Sequence, residues 1–230
     1  MINVDNGVVD QDKNIYFLHI AGTGGRALKE YVLNPLLNKN FEIVGKHNGW
    51  SDSIDDKTYI ICILRDPVKH ACGFYLHFIY KETDGPNIRE KFLEYFRKTK
   101  EIHNFQSQNL ISSNQNFNYG NGKHFCDGVA EINEHLLQEK IDRIDLLISQ
   151  DMLQSNIQDI ADTLAKDLDL NKIKVKDVNM YKYSNMTSKD LYMILSESEK
   201  QEIRILNSID YKIYSQLRNK ELKKAGEIKN

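Results

Sequence analysis

Three short sequences in the first third of the chain have residue types that bind anions. The first, the glycine loop, reads Gly-Thr-Gly-Gly-Arg-Ala at Gly22–Ala27; the others are Lys46-His47 and Arg65. Glycines let a phosphate approach backbone N–H groups, and a guanidinium can bind two phosphate oxygens at once. An imidazole can accept a proton near neutral pH. Together these residues indicate an anion site with a general base, His47, beside it.

Each of these three sequences follows a run of β-branched and aromatic residues that predicts a strand. The strands are predicted at Ile15–Ile20, Phe41–Val44 and Tyr59–Leu64, with a fourth at Ile144–Ile148. Helical patterns alternate with them, which predicts an α/β fold with a central, mainly parallel sheet flanked by helices. Because parallel strands end at one edge of a sheet, we expect the three anion-binding sequences to meet in one crevice there.

The helical patterns also define the extent of the domain. Asp66 can cap a helix that has Pro67 in its first position and runs from 68 to 80. Further helices are predicted at 26–33, 87–99, 103–112, 131–140 and 157–168, and a last one opens at 196–199 and buries Leu206, Ile213 and Leu217. No repeat or linker divides the chain. We therefore expect one domain over 1–230, with 1–13 and 220–230 flexible.

The anion-binding residues also have plainer interpretations. The glycine loop is not a Walker A sequence, because neither Gly-Lys pair precedes Ser or Thr. It does satisfy Gly-x-Gly-x-x-Ala, so a Rossmann-type NAD(P) oxidoreductase is an alternative. Without a ligand, the loop would be a tight turn between a strand and a helix. Arg65 would then pair with a carboxylate such as Asp66, and His47 would be a surface residue.

The composition excludes several classes of protein. With 31 Lys and Arg against 33 Asp and Glu, the formal net charge is -2, which excludes a globally basic nucleic-acid binder. No apolar run approaches the roughly 18 residues of a membrane span, and the polar, acidic start is unlike a signal peptide. The three cysteines lack metal-type spacing and form no disulfide framework. We therefore expect a cytoplasmic protein without a metal site.

The glycine loop and the Arg65 segment resemble the donor-binding motifs of one enzyme family. Ile15–Gly25 resembles the 5′-phosphosulfate loop of sulfotransferases that use 3′-phosphoadenosine 5′-phosphosulfate (PAPS). Tyr59–Tyr75, with Ile-Leu-Arg-Asp-Pro-Val at its centre, is similar to the family's 3′-phosphate-binding segment. Gly45–His47 lies between them, where many carbohydrate sulfotransferases carry a Gly-His with the catalytic histidine. Asn104–Gln108 and Asp210–Tyr214 resemble later motifs, so the resemblance runs over nearly the whole chain.

This resemblance implies a P-loop-like sulfotransferase fold and a specific reaction. A sulfuryl group would pass from PAPS to a hydroxyl of a carbohydrate or small-molecule acceptor, leaving adenosine 3′,5′-bisphosphate, with no metal. His47 would be the catalytic base. The residues implied to bind the donor are Gly22, Thr23, Gly24, Gly25, Arg26, Ala27, Arg65, Lys69 and Gly73.

The chain departs from the family pattern at two donor contacts. Gly22 stands where the family has its phosphosulfate lysine, and Gly73 stands where it has a 3′-phosphate-binding serine. His70 replaces a second arginine. Either other cations compensate, or the chain is a non-catalytic homologue of the same fold. The candidate compensating cations are Arg26, Lys46, Lys69 and His70.

Overall fold

One parallel sheet forms the centre of the molecule. The computed structural model describes residues 15–34, 43–44, 50, 54–80, 87–112, 131–168 and 186–226. The strands are β1 (Ile15–Leu18), β2 (Ile43–Val44), β3 (Tyr59–Leu64) and β4 (Leu146–Ser149). They pair in the order β2-β1-β3-β4, and every pair is parallel. The predicted α/β class with a mainly parallel sheet is confirmed.

Helices follow or precede each strand of the described chain. The helices before β4 are α1 (Gly25–Leu28, extended by a π turn at Lys29–Leu33), α2 (Pro67–Phe74, extended by a π turn at Tyr75–Ile79), α3 (Ile88–Lys98), a 3₁₀ turn (Lys100–Ile102), α4 (Phe105–Ile111) and α5 (Glu134–Asp142). Those after β4 are α6 (Gln150–Ser155), α7 (Ile157–Asp167), α8 (Ser188–Ile194), α9 (Glu197–Leu206) and α10 (Ser208–Lys224). Asp66 caps α2 as predicted, since its side chain accepts from Lys69 N at 2.9 Å.

The C-terminal helix differs from its prediction in two ways. It is broken at Asn207, because Asn207 Oδ1 accepts from Asn104 N at 2.7 Å and Asn104 Oδ1 accepts from Ile209 N at 2.9 Å. These reciprocal side-chain bonds separate α9 from α10. The helix also extends through residues 220–224, where the sequence predicts a flexible tail. Glu221 there accepts from Ser149 N at 2.8 Å and from Ser149 Oγ at 2.7 Å, which fixes α10 to the end of β4.

The sheet separates two hydrophobic cores. Alternate residues of β1 face opposite sides: Tyr16 and Leu18 join the core under α2, α3 and α4, whereas Ile15 and Phe17 join the core under α1 and α7. The helix that follows β1 therefore covers one face of the sheet, and the helix that follows β3 covers the other. Chains that diverge in this way leave a crevice between the carboxyl ends of the two strands. The glycine loop and Arg65 lie on its two sides.

Candidate functional site

The glycine loop has a backbone that only its glycines adopt easily. Gly22 and Gly24 have φ of 83° and 91°, in the left-handed region. Thr23 lies fully buried between them, and its hydroxyl donates to Ile20 O at 2.8 Å. Within the described part of the chain, the N–H groups of Gly24 and Gly25 donate to no backbone carbonyl. The loop is therefore a fixed turn with donors available to an anion.

The glycine loop is also tightly enclosed by side chains. A β-carbon added to Gly25 would lie 2.3 Å from the ring of His19 and 2.7 Å from Phe17 Cζ. His19 itself stacks on Phe17 with 4.9 Å between ring centroids. On the opposite side, a β-carbon on Gly24 would lie 2.8 Å from Gln150 Nε2. Gln150, at the start of α6, therefore packs against the loop.

Arg65 reaches across the crevice to the glycine loop. Its Nη1 donates to Gly22 O at 2.9 Å, and its Nη2 donates to Ser188 Oγ at 2.7 Å. A β-carbon on Gly73 would lie 2.5 Å from Nη1, so the guanidinium occupies the space beside that glycine. The expected alternative, a pairing of Arg65 with Asp66 or another carboxylate, is not found among the described residues. Burial lowers the pKa of Arg65, yet arginine is so basic that the guanidinium stays charged.

The main chain at Arg65 is held by α4. Gln106 Oε1 accepts from Arg65 N at 2.8 Å, and Gln106 Nε2 donates to Arg65 O at 2.9 Å. The start of α4 is in turn capped by Asp210, which accepts from Gln106 N at 3.0 Å and Ser107 N at 2.7 Å, and also from the Ser107 hydroxyl. Burial raises the pKa of Asp210 to about 6, although these hydrogen bonds oppose the rise. Asp210 thus supports Arg65 through Gln106.

Lys69 lies one helical turn from Arg65 but is paired with an acid. Its Nζ lies 3.1 Å from Asp151 Oδ1, and the two side chains are 38% and 30% exposed. Asp151 also accepts a hydrogen bond from the Tyr214 hydroxyl. Burial alone would raise the pKa of Asp151, but the bonds from Tyr214 and Lys69 lower it. The positive charge of Lys69 is therefore largely balanced before any ligand binds.

His70 is not a cation of the crevice. Its side chain is buried, stacks on Phe105 with 5.5 Å between centroids, and its Nε2 lies 2.8 Å from Ala21 O. Burial lowers the pKa of His70 to about 4, and the charge of Arg65 adds to the effect. The imidazole is neutral at pH 7 and donates its Nε2–H to Ala21 O. The expectation that His70 supplies compensating charge is wrong, because the side chain points into the core.

Of the predicted donor-binding residues, the structure brings Arg65 and Gly73 next to Gly22, whereas Lys69 is paired with Asp151. Arg26 is exposed in the first turn of α1, where its charge adds to burial in lowering the pKa of His77. Ala27 follows and donates its N–H to Gly24 O at 3.1 Å, so it stabilises the turn. Lys46 and His47, the predicted base, lie outside the described residues.

The sequence did not predict the contacts that three residues make at the crevice. Gln106 holds both backbone groups of Arg65, Ser188 accepts from its guanidinium, and Gln150 packs on Gly24. Ser188 lies 123 residues after Arg65, so no local pattern links them. The Asp66-Pro67 sequence predicts the cap of α2, but it carries no information about these distant partners.

Comparisons with protein-family models, with curated proteins and with solved structures gave no match. Within the described ranges, no helix is long and apolar enough to cross a membrane. The same residues contain no cluster of three His, Cys, Asp or Glu side chains placed to hold a metal ion.

Proposed function

We propose that the protein is a PAPS-dependent O-sulfotransferase with a P-loop-like fold. One observation carries the proposal: Arg65 Nη1 lies 2.9 Å from Gly22 O, so the two motifs that resemble the family's donor-binding segments adjoin in one crevice. They are 43 residues apart in sequence. A nucleotide with a 5′-phosphosulfate and a 3′-phosphate needs two anion sites that are close together, and this arrangement supports them.

The donor would bind with its two anionic groups on the two sides of the crevice. The 5′-phosphosulfate would lie on the glycine loop, beside exposed Arg26 and the N–H groups of Gly24 and Gly25, which donate to no described backbone carbonyl. The 3′-phosphate would lie on Arg65, which remains positively charged. Lys69 contributes less, because Asp151 already balances its charge.

In the proposed reaction an acceptor hydroxyl attacks the sulfur of PAPS in line with the leaving phosphate. The acceptor oxygen forms a bond to sulfur as the bond between sulfur and the 5′-phosphate oxygen breaks. His47 takes the hydroxyl proton, and adenosine 3′,5′-bisphosphate leaves with the bonding electrons. The protein contributes alignment and charge stabilisation. A carbohydrate or small-molecule hydroxyl is the acceptor class that the sequence favours.

The proposal is tested by calorimetric titration with adenosine 3′,5′-bisphosphate. We expect saturable binding that Arg65→Ala weakens by about tenfold or more, because it removes a charged hydrogen-bonding partner. Arg97→Ala is the matched control: Arg97 pairs with Glu202 on the surface, with N–O distances of 2.7 Å, so its loss should leave binding unchanged. Binding of a nicotinamide dinucleotide instead would support the oxidoreductase and contradict the proposal.

Catalysis is tested separately from binding. A sulfuryl-transfer assay with PAPS and a panel of carbohydrate and alcohol acceptors should show turnover. His47→Ala should keep nucleotide affinity and lower the rate by about 10²–10⁴-fold, the usual contribution of a general base. Full activity of this variant would place the base elsewhere.

A non-catalytic nucleotide-binding homologue is the second candidate. The pairing of Lys69 with Asp151 and the neutral state of His70 favour it, because two of the four expected compensating cations do not serve as such. It predicts bisphosphate binding without turnover of PAPS on any acceptor in the panel. The same two experiments therefore separate the two functions.

A further inference from the structure

The guanidinium of Arg65 has hydrogen-bonding capacity that its neighbours among the described residues do not use. Nη1 and Nη2 donate to Gly22 O and Ser188 Oγ, at 2.9 and 2.7 Å. Nε is fully buried and has no acceptor among the described residues. A buried N–H without an acceptor raises the free energy of the folded state. We therefore expect an acceptor oxygen that does not belong to the described residues beside it.

Ser188 offers a second donor at the same place. Its oxygen accepts the bond from Arg65 Nη2, which leaves its own hydroxyl proton to donate. In the described part of the chain no acceptor is found for that proton. Nε and Nη2 belong to one planar group, so an oxyanion that accepts from Nε lies close to the Ser188 hydroxyl. The two side chains can therefore bind one anion together.

Gly73 makes room for this pair. A β-carbon built on Gly73 would lie 2.5 Å from Arg65 Nη1 and 3.6 Å from Ser188 Cβ. A side chain at position 73 would thus compete with the guanidinium for space, and any hydroxyl it carried would be near that of Ser188. Because position 73 has no side chain, the guanidinium of Arg65 has space beside it, and Ser188 provides the hydroxyl in that region.

We propose that Arg65 and Ser188 together bind the 3′-phosphate of the nucleotide, and that Ser188 supplies the hydroxyl donor that Gly73 lacks. This inference rests on the proposed function. Ser188 is the first residue of α8, whose cap is formed by Thr187 and Asp190. The hydroxyl of Ser188 is therefore not needed to cap its own helix, and is available to a ligand.

The test compares two nucleotides and two matched serine variants by calorimetric titration. The nucleotides are adenosine 3′,5′-bisphosphate and adenosine 5′-monophosphate, which lacks the 3′-phosphate. Ser188→Ala should weaken bisphosphate binding about tenfold to a hundredfold and leave monophosphate binding unchanged. Ser208→Ala is the control, because Ser208 is also the first residue of a helix and is exposed; it should change neither. Ser188→Thr, which keeps the hydroxyl, should retain bisphosphate affinity.

Each other outcome contradicts a defined part of the proposal. If Ser188→Ala binds the bisphosphate as well as the wild type does, Ser188 is not a ligand and the inference fails while the proposed function stands. Equal weakening of both nucleotides would place Ser188 away from the 3′-phosphate and also overturn the inference. If the wild-type protein binds neither nucleotide, the proposed function and the inference fall together. Thermal unfolding of each variant is the folding control: a variant with an unchanged melting temperature has lost affinity without losing its fold.

Discussion

The two sides of the crevice are built in different ways. On the β1 side, the glycine loop is fixed by its immediate neighbours: Thr23 bonds to Ile20 three residues away, and Gly25 contacts the ring of His19. On the β3 side, Arg65 is fixed by residues far along the chain. Gln106 is 41 residues away and Ser188 is 123 residues away.

This difference predicts which kind of substitution destabilises each side. The β1 side is a close-packed turn, so adding even one carbon atom disrupts it. The β3 side is a hydrogen-bonded chain from Asp210 through Gln106 to Arg65, so removing one partner leaves buried donors unsatisfied. Four substitutions test this contrast, from the largest expected effect to the smallest.

Gly25→Ala should have the largest effect on folding. Its new β-carbon would lie 2.3 Å from the His19 ring and 2.7 Å from Phe17, closer than atoms pack in proteins. We expect a loss of about 3 kcal/mol in the free energy of unfolding, at the upper end for an overpacked site. Urea denaturation followed by circular dichroism measures it.

Gly226→Ala is the control for that prediction. Gly226 has a φ of 76° but nothing lies within 4 Å of its added β-carbon, so only the backbone conformation opposes the change. About 1 kcal/mol is expected. If both variants lose the same stability, the close packing around Gly25 is not what constrains the β1 side. His19→Ala combined with Gly25→Ala should recover part of the loss.

Asp210→Ala tests the β3 side. The substitution leaves the N–H groups of Gln106 and Ser107 without their acceptor in the core, which should cost about 2–3 kcal/mol of unfolding free energy. Nucleotide affinity should fall as well, because Gln106 would no longer hold Arg65. Asp142→Ala on an exposed helix end is the comparison, and it should change neither quantity. Unaltered stability of Asp210→Ala would show that the capping chain does not hold this side together.

The pH dependence of folding separates His70, beside the glycine loop, from Asp210. The folded pKa of His70 is about 4, below its ordinary 6.5, so acidification between these values costs stability. The folded pKa of Asp210 is about 6, above its ordinary 3.8, so acidification through that window adds stability. The two contributions oppose each other in the wild type. Asp210→Asn should therefore lose about 2 kcal/mol more of its unfolding free energy than the wild type between pH 6.5 and pH 4.5.

Denaturant titrations at several pH values measure how the free energy of unfolding changes with pH. His70→Gln provides the reciprocal case: with Asp210 left alone to titrate, the variant should gain stability relative to the wild type over the same acidification. Parallel curves for the wild type and Asp210→Asn would mean that Asp210 does not titrate in this window.

Lys69→Met should have the smallest effect. The ion pair with Asp151 is about one-third exposed on both sides, and such pairs contribute less than about 1 kcal/mol. Because Asp151 balances the lysine charge, bisphosphate affinity should also change far less than in Arg65→Ala. Calorimetric titration of the two variants side by side checks this; an equal loss would show that Lys69 contributes to anion binding as much as Arg65 does.

Local patterns were enough to place β3 and the start of α2, but they did not predict α6 or α8. β3 occupies Tyr59–Leu64 as predicted, and the Asp66-Pro67 start of α2 is also confirmed. The glycine loop was recognised as a strand-to-helix turn for the same reason. Strand periodicity, caps and glycine turns depend on residues within a few positions of one another, so the amino-acid order determines them directly.

Only the tertiary structure decided which side chains lie at the crevice and in which charge state. His70 and Lys69 were both candidate compensating cations in the sequence, but His70 is neutral in the core and Lys69 is paired with Asp151. The break between α9 and α10 at Asn207 depends on Asn104, which lies 103 residues earlier. Charge state and hydrogen-bond partners depend on what surrounds a group in space, and folding brings those surroundings from distant parts of the chain. The sequence by itself predicted where an anion site could form, and the packing of α4, α6 and α8 determined which side chains surround the proposed site.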